Sequence, residues 1–172
     1  MLHTFYKAFS DPNQSPPERT RKDRNMVISA ENLLKAKGGN LWTISPEAFV
    51  YQALQELSDR NIGALLVFES GRLAGIFSER DYARKLVLKG RFSKNTKVRE
   101  VMTEEVITIT PHSNIEECME LMTNKRIRHL PVVDGARVIG IISIGDIVKA
   151  IISDQKSTIG LLNEYITGGR PP

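Results

Sequence analysis

Arg72-Leu-Ala-Gly75-Ile76-Phe-Ser78-Glu-Arg-Asp81 and Arg137-Val-Ile-Gly140-Ile141-Ile-Ser143-Ile-Gly-Asp146 are two versions of one decapeptide, identical at five positions and offset by 65 residues. The offset holds beyond the decapeptide without a gap, because Pro46 falls on Pro111, Leu65 on Leu130 and Val67 on Val132. Self-similarity at a fixed period marks a duplicated structural unit. One copy of about 60 residues is marginal by itself, whereas two copies packed together bury a sufficient core. The 172-residue chain accommodates such a pair.

Each copy runs in the same order. A short strand at 41–45 or 106–110 precedes a proline suited to the first turn of a helix. Val50, Ala53, Leu54 and Leu57 then repeat at i, i+3, i+4, i+7, as do Ile115, Cys118, Met119 and Met122, which predicts a helix buried on one face. Two strand-like runs follow, 64–68 with 73–77 and 130–133 with 138–142. Asp134-Gly135 supplies a hairpin turn in the second copy, and Pro131 predicts an edge or strand-start position. A second helix begins after Ser78 or Ser143. The unit is β-α-β-β-α, twice, an α+β fold with helices over small sheets.

Residues 29–37 read as a leading helix, with Ser29 as N-cap and Gly38-Gly39 as its stop. Residues 1–25 carry Pro12, Pro16 and Pro17 among Arg19, Arg21, Lys22 and Arg24, and are expected to form a poorly ordered basic arm. The predicted organisation is therefore an arm at 1–25, a first domain with leading helix at 26–90, a linker and second domain at 91–155, and a C-terminal extension at 156–172.

The composition, 41% hydrophobic and 26% charged with a net charge of +4, is that of a globular chain. The lone Cys118 has no disulfide partner within the chain, and no secretory signal opens it, so a cytoplasmic location is expected. The apolar stretch 138–153 is interrupted by Asp146 and Lys149, and membrane insertion is not expected. The charge is spread, with denser places in the arm and among Lys89, Arg91, Lys94, Lys97 and Arg99; solvated segments are the simpler reading, and nucleic acid is not the expected partner.

Ser-x-x-Asp at the third strand's end has two readings. Structurally it is a helix cap, Ser78 or Ser143 accepting from first-turn amides and Asp81 or Asp146 favouring the positive end of the helix dipole. Chemically, free amides suit an anion, the serine hydroxyl can donate to phosphate or ribose, and the carboxylate can accept from both hydroxyls of a ribose diol. Gly75 and Gly140, three positions earlier, permit close approach of a ligand or backbone.

The pattern resembles cystathionine-β-synthase (CBS) domains, which occur as tandem pairs called Bateman modules. The likeness covers about residues 27–155 and includes Val98-Arg-Glu-Val-Met102-Thr103, similar to the usual opening of a second CBS domain. The resemblance implies a pseudo-twofold pair with two clefts that bind adenosyl ligands: AMP first, with ADP, ATP or NAD as alternatives. Carried over by position, Asp81 and Asp146 would hold ribose, with Ser78 and Ser143 beside it, and Thr43 and Thr108 would border the adenine. Arg128 and His129 would serve the phosphate of the ligand on Asp81; their counterparts are the uncharged Gly63 and Ala64. Arg80, opposite Gly145, would reach the phosphate of a ligand on Asp146. Arg126 is expected to be surface charge.

His3, His112, His129 and Cys118 lack metal-ligand spacing, no phosphate loop or dinucleotide fingerprint is present, and Cys118 reads as an inert core thiol. Asp81 and Asp146 occupy duplicated positions, so they read as ligand-binding groups and not as a differentiated acid and base. The expected function is a stand-alone, non-enzymatic regulator that binds adenine nucleotide, needs no catalytic cofactor or metal, and signals by shifting its domains or protomers. The resemblance further implies a homodimer of pairs acting on a separate, unidentified protein. The alternative is a nucleic-acid-binding or scaffold protein whose CBS pair is a dimerisation platform for the basic arm.

Overall fold

The computed structural model describes residues 28–38 and 40–166. The predicted arm at 1–25 lies outside the described residues, as does the end of the extension. The elements are α1 (Ala30–Lys37), β1 (Thr43–Ile44), α2 (Val50–Asp59), β2 (Ala64–Glu69), β3 (Arg72–Ser78), α3 (Glu79–Asp81), α4 (Ile115–Lys125), β4 (His129–Asp134), β5 (Arg137–Ser143) and α5 (Ile144–Ile166). In the first copy, α3 continues as a π-helical turn, Tyr82–Leu86, and a 3-10 turn, Val87–Lys89. Wide turns of this kind recur at functional sites.

The copies use one register. Antiparallel β2–β3 pairs Leu66 with Ile76 and Val67 with Gly75; β4–β5 pairs Pro131 with Ile141 and Val132 with Gly140. Each ladder shifts one step further on, after Val67 or Val132. The opening strands differ. β1 pairs in parallel with β2 through Thr43 and Ile44, whereas the expected strand at 106–110 contributes a single bridge, Ile109 to Val132. The cause is one substitution between the repeats: Leu66 N donates to Trp42 O at 3.1 Å, and Pro131, its counterpart, has no N–H to give.

Each copy has its own core. Val50, Ala53, Leu57, Leu65, Val67 and Phe77 form one, and Ile115, Cys118, Met122, Leu130, Val132 and Ile142 the other. Cys118 is fully buried; that burial, aided by the charge of Glu117, pushes its thiol up to about 11. Each core is completed by a segment from outside its repeat. α1, which the sequence groups with the first copy, instead places Ala30, Leu33 and Leu34 in the second core. Ala30 N and Glu31 N donate to Ser113 O and Pro111 O. Val98 and Val101 of the connector close the first core, and Val98 N donates to Ala48 O.

The repeated glycines receive these crossing segments. A Cβ on Gly75 would lie 2.8 Å from Met102 Sδ and 2.9 Å from the carbonyl oxygen of Thr103, whereas one on Gly140 would meet Leu34 side-chain carbons at 2.5 and 2.9 Å. Backbone yields less readily than the end of a leucine. Gly75→Ala is therefore expected to cost about 1–3 kcal/mol, and Gly140→Ala less, measured by urea denaturation of the two variants.

Candidate functional site: two clefts at the strand-to-helix junctions

Both Ser-x-x-Asp motifs form the reciprocal cap that their spacing predicts. Ser78 N and Oγ donate to Asp81 Oδ2 at 3.0 and 2.6 Å, while Asp81 N donates back to Ser78 Oγ at 3.3 Å. Ser143 and Asp146 repeat the arrangement at 2.7, 2.8 and 3.3 Å. The caps turn each carboxylate toward a cavity. The capping reading is thus the one observed, and the same geometry leaves each carboxylate at a cavity wall.

The cleft at Asp81 has a volume of about 480 Å³. Ser78, Asp81 and Lys85 come from the first copy, and Arg126, Arg128 and His129 from the second. Asp81 Oδ1 accepts from Lys85 Nζ at 2.8 Å and from Thr103 Oγ1 at 3.0 Å. Lys85 also donates to the carbonyl oxygen of Met102 at 3.0 Å, so the connector is tied to the site. Arg80 and Arg84 line the same cavity, and Arg80 donates to the carbonyl oxygen of Arg126.

Arg80 therefore corrects the sequence expectation. It stands at the Asp81 cleft and not at the Asp146 cleft, because one helical turn carries both Arg80 and Asp81 to the same mouth. Arg126, expected to be ordinary surface charge, lines the cavity as well. It occupies a left-handed position, φ 53°, that ends α4 and brings its backbone to Arg80.

The cleft at Asp146 is smaller, about 270 Å³, and is lined by Lys37, Trp42, His129, Ser143 and Asp146 among others. Lys37, the last residue of α1, donates to Asp146 Oδ2 at 2.7 Å and to Ile141 O at 3.3 Å. Burial opposes ionisation of Asp146, but hydrogen bonds from Lys37 and Ser143 outweigh it and hold the carboxyl below its ordinary range. Trp42 lies under the Arg60 guanidinium, 3.7 Å from the ring centroid, which fixes the indole at the cleft wall.

Gly63 and His129 border both clefts. A Cβ on Gly63 would lie 3.2 Å from His129 Nε2, so this glycine lets the imidazole stand between the cavities. Burial, then the Lys37 charge, push the His129 pKa down against the opposing pull of Asp146 and Asp81. The ring is neutral near pH 7, and cationic character falls to the arginines and lysines.

Thr43 and Thr108 are not brought to either cleft. Thr43 lies exposed beside Ile44 and Gln52, and Thr108 lies exposed among the hairpin residues Gly71, Arg72 and Val133. Trp42, one residue earlier, borders the same groove as Thr43, and its larger indole is the group that also reaches the Asp146 cleft. Lys37, Lys85 and Thr103 were missed by sequence reasoning, since each meets its aspartate across a fold contact or on an irregular helix. The i, i+4 spacing of Asp81 and Lys85 was the one available signal.

Among the described residues no group of three or more His, Cys, Asp and Glu could hold a metal, and no helix is long and apolar enough to cross a membrane.

This architecture, a duplicated β-α-β-β-α unit with a capped carboxylate at each junction, has known counterparts. The CBS-domain family model matches residues 27–88 and 98–153, and the chain belongs to that family as a tandem pair. It is 39% identical over 170 residues to the mitochondrial CBS domain-containing protein CBSX3 of Arabidopsis thaliana, covering 93% of this chain and 82% of that one. A CBS-domain protein from Burkholderia ambifaria MC40-6, ascribed to signal transduction, superposes with a TM-score of 0.73 at 48% identity, over 74% of this chain and 96% of the other. The CBS pair of protein MJ0100, solved with 5′-methylthioadenosine and S-adenosyl-L-methionine, gives a TM-score of 0.66 at 25% identity, over 74% and 98%. The chain is thus a CBS-domain protein of the regulatory, signal-transduction class.

Proposed function

We propose that this CBS pair is a non-enzymatic sensor of adenine nucleotides, with its larger cleft suited to a di- or triphosphate. The observation that carries the reading is the Asp81 cleft: a capped carboxylate shares one cavity with Arg80 and Arg84 from its own helical segment and with Arg126 and Arg128 from the second copy. Asp81 supplies acceptors for a ribose diol that takes the place of Lys85 and Thr103 at Oδ1, and the arginines supply planar donors for phosphate oxygens. Four guanidiniums are more than one phosphate requires, which favours ADP or ATP over AMP. The MJ0100 pair, with its two adenosyl ligands, supports the ligand class.

The Asp146 cleft offers a different combination. Trp42 provides an aromatic surface for a purine, Asp146 a ribose acceptor, and Lys37 a single cation. That inventory suits a nucleoside or its monophosphate. Lys37 occupies the carboxylate, so the incoming ribose must displace it.

Signalling follows from the lining. A ligand at Asp81 touches groups from both copies, so it binds best to the arrangement that brings them together and shifts the population toward it. A hundredfold preference corresponds to about 2.7 kcal/mol. The regulated protein is a separate partner.

The reading is tested by calorimetry with AMP, ADP, ATP, NAD and S-adenosylmethionine, beside fluorescence of Trp42, the single tryptophan of the chain. ADP or ATP is expected to bind most tightly, and absence of binding by every ligand overturns the proposal. Adenosine should alter Trp42 emission. Lys37→Met is expected to tighten adenosine about fivefold, because the ribose no longer competes with a part-buried ion pair. Unchanged or weaker affinity would show that Lys37 is not a competitor.

A further inference from the structure

Among the positions that the two decapeptides share, the arginines that open them take no part in the caps or in the crossing of segments. Arg72 begins β3 and Arg137 begins β5, about 20 Å along each strand from the capping serine at its other end. Both border a further cavity, of about 650 Å³, between the two hairpins. It shares no lining residue with the clefts at Asp81 and Asp146.

The lining repeats as the chain does. Phe68 and Val133, Leu73 and Val138, and Arg72 and Arg137 are equivalent pairs at the offset of 65, so each copy supplies the same half of the cavity. The four apolar side chains are half-buried and form a floor, while the arginines stand exposed at the rim. The one-step shift in each ladder builds that floor, since it sets Phe68 opposite Leu73 in place of Ala74, and Val133 opposite Val138 in place of Ile139. Such irregularities re-aim side chains. Tight turns fix the ends: Ser70 and Gly71, φ 50° and 77°, close the first hairpin, and Gly135, φ 57°, lies in the second.

Charge then selects the ligand. No Asp or Glu lines the cavity, and among the described residues neither arginine forms an ion pair. Glu69, opposite Arg72 in the ladder, is drawn to Arg99 at 2.8 Å, and Asp134, opposite Arg137, does not pair with it. Two unpaired guanidiniums offer planar forks that fit carboxylates. The apolar floor gains by covering a methylene chain and offers nothing to a fully hydrated ion. Size points to a small molecule: the volume lies within the roughly 300–1,000 Å³ of ligand pockets, and four floor side chains are far fewer than a stable protein interface needs.

We infer that this cavity binds a small two-ended organic dianion, an apolar chain with a carboxylate at each end, one held by Arg72 and the other by Arg137. The repeat symmetry of the site matches the symmetry of such a ligand. Binding here does not depend on what occupies the two clefts.

The test is a ligand-observed NMR titration of the full chain with succinate, adipate and suberate, which differ only in methylene count. At least one of them is expected to bind with a dissociation constant on the order of a millimolar or tighter, and hexanoate and inorganic phosphate at least about fivefold more weakly. Arg72→Gln and Arg137→Gln should each weaken the best diacid about tenfold, since each removes one charged end. Ala136→Glu, an exposed change at the rim, should abolish binding by placing a carboxylate beside the arginines. All three positions are exposed, so thermal unfolding is expected to be unchanged. Failure of wild type to bind any diacid overturns the proposal, as does equal affinity for hexanoate or phosphate. Diacid binding that survives Arg72→Gln with Arg137→Gln also overturns it, because the arginines of the Asp81 cleft would then be the binders.

Discussion

Asp81→Ala is expected to weaken ADP or ATP binding by on the order of a hundredfold or more, because it removes the acceptor for two ribose hydroxyls at about 1.5–3 kcal/mol for each hydrogen bond to a charged group. Calorimetry on the variant gives the affinity directly. The fold is expected to persist. Ser78 Oγ still accepts from the amide at position 81, and Lys85, whose side chain is 40% exposed, can turn to water. Asp81→Asn separates charge from shape: it retains an acceptor oxygen but loses the carboxylate, and should fall between wild type and alanine. Affinity of Asp81→Ala within about threefold of wild type would remove this residue from the site.

Phe77→Ala is expected to cost about 3–5 kcal/mol, the range for truncating a fully enclosed aromatic side chain. Phe77 packs in the first core against Val50, Leu57, Leu65 and Leu86 and precedes the capping Ser78 directly. Its counterpart Ile142 is equally buried but smaller, so Ile142→Ala should cost less. Urea denaturation of both variants measures the difference. Set against a typical total of about 5–15 kcal/mol, the phenylalanine variant would leave a first domain close to unfolding. A loss below about 1 kcal/mol would mean that the first core tolerates the cavity by collapse.

Much of the molecule was legible in the chain. Hydrophobic spacing at 50–57 and 115–122 marked two buried helix faces, and both are buried as read, with Val50, Ala53 and Leu57 in one core and Ile115, Cys118 and Met122 in the other. Ser-x-x-Asp marked both caps, since a serine and its third neighbour close a hydrogen-bonded ring within one turn. The expectation for Arg80 failed for a related reason. Local spacing says that Arg80 is beside Asp81, whereas its assignment to the other cleft required knowledge of how the copies face each other.

The second opening strand shows the reverse case. A β pattern at 106–110 is real in the sequence, but Pro131 withholds the donor that Leu66 supplies in the first copy, and a single bridge remains. Trp42 and Thr43 are adjacent and border one groove, but only the longer indole of Trp42 also reaches the Asp146 cleft, and the strand pattern does not say which of the two will do so. π-Helical winding after Asp81 was equally invisible, because a wide turn has no strong residue preference.

The duplication, the β-α-β-β-α order and the caps that hold Asp81 and Asp146 follow from the chain alone. All of these arise from interactions between residues a few positions apart or from repetition, which a linear reading can see. Which segments cross is settled only in the folded molecule: α1 completes the second core and carries Lys37 to Asp146, while the connector completes the first and carries Thr103 to Asp81. Such pairings depend on which apolar face is left uncovered once each sheet has formed. That is a property of the assembled surfaces, and no local spacing encodes it.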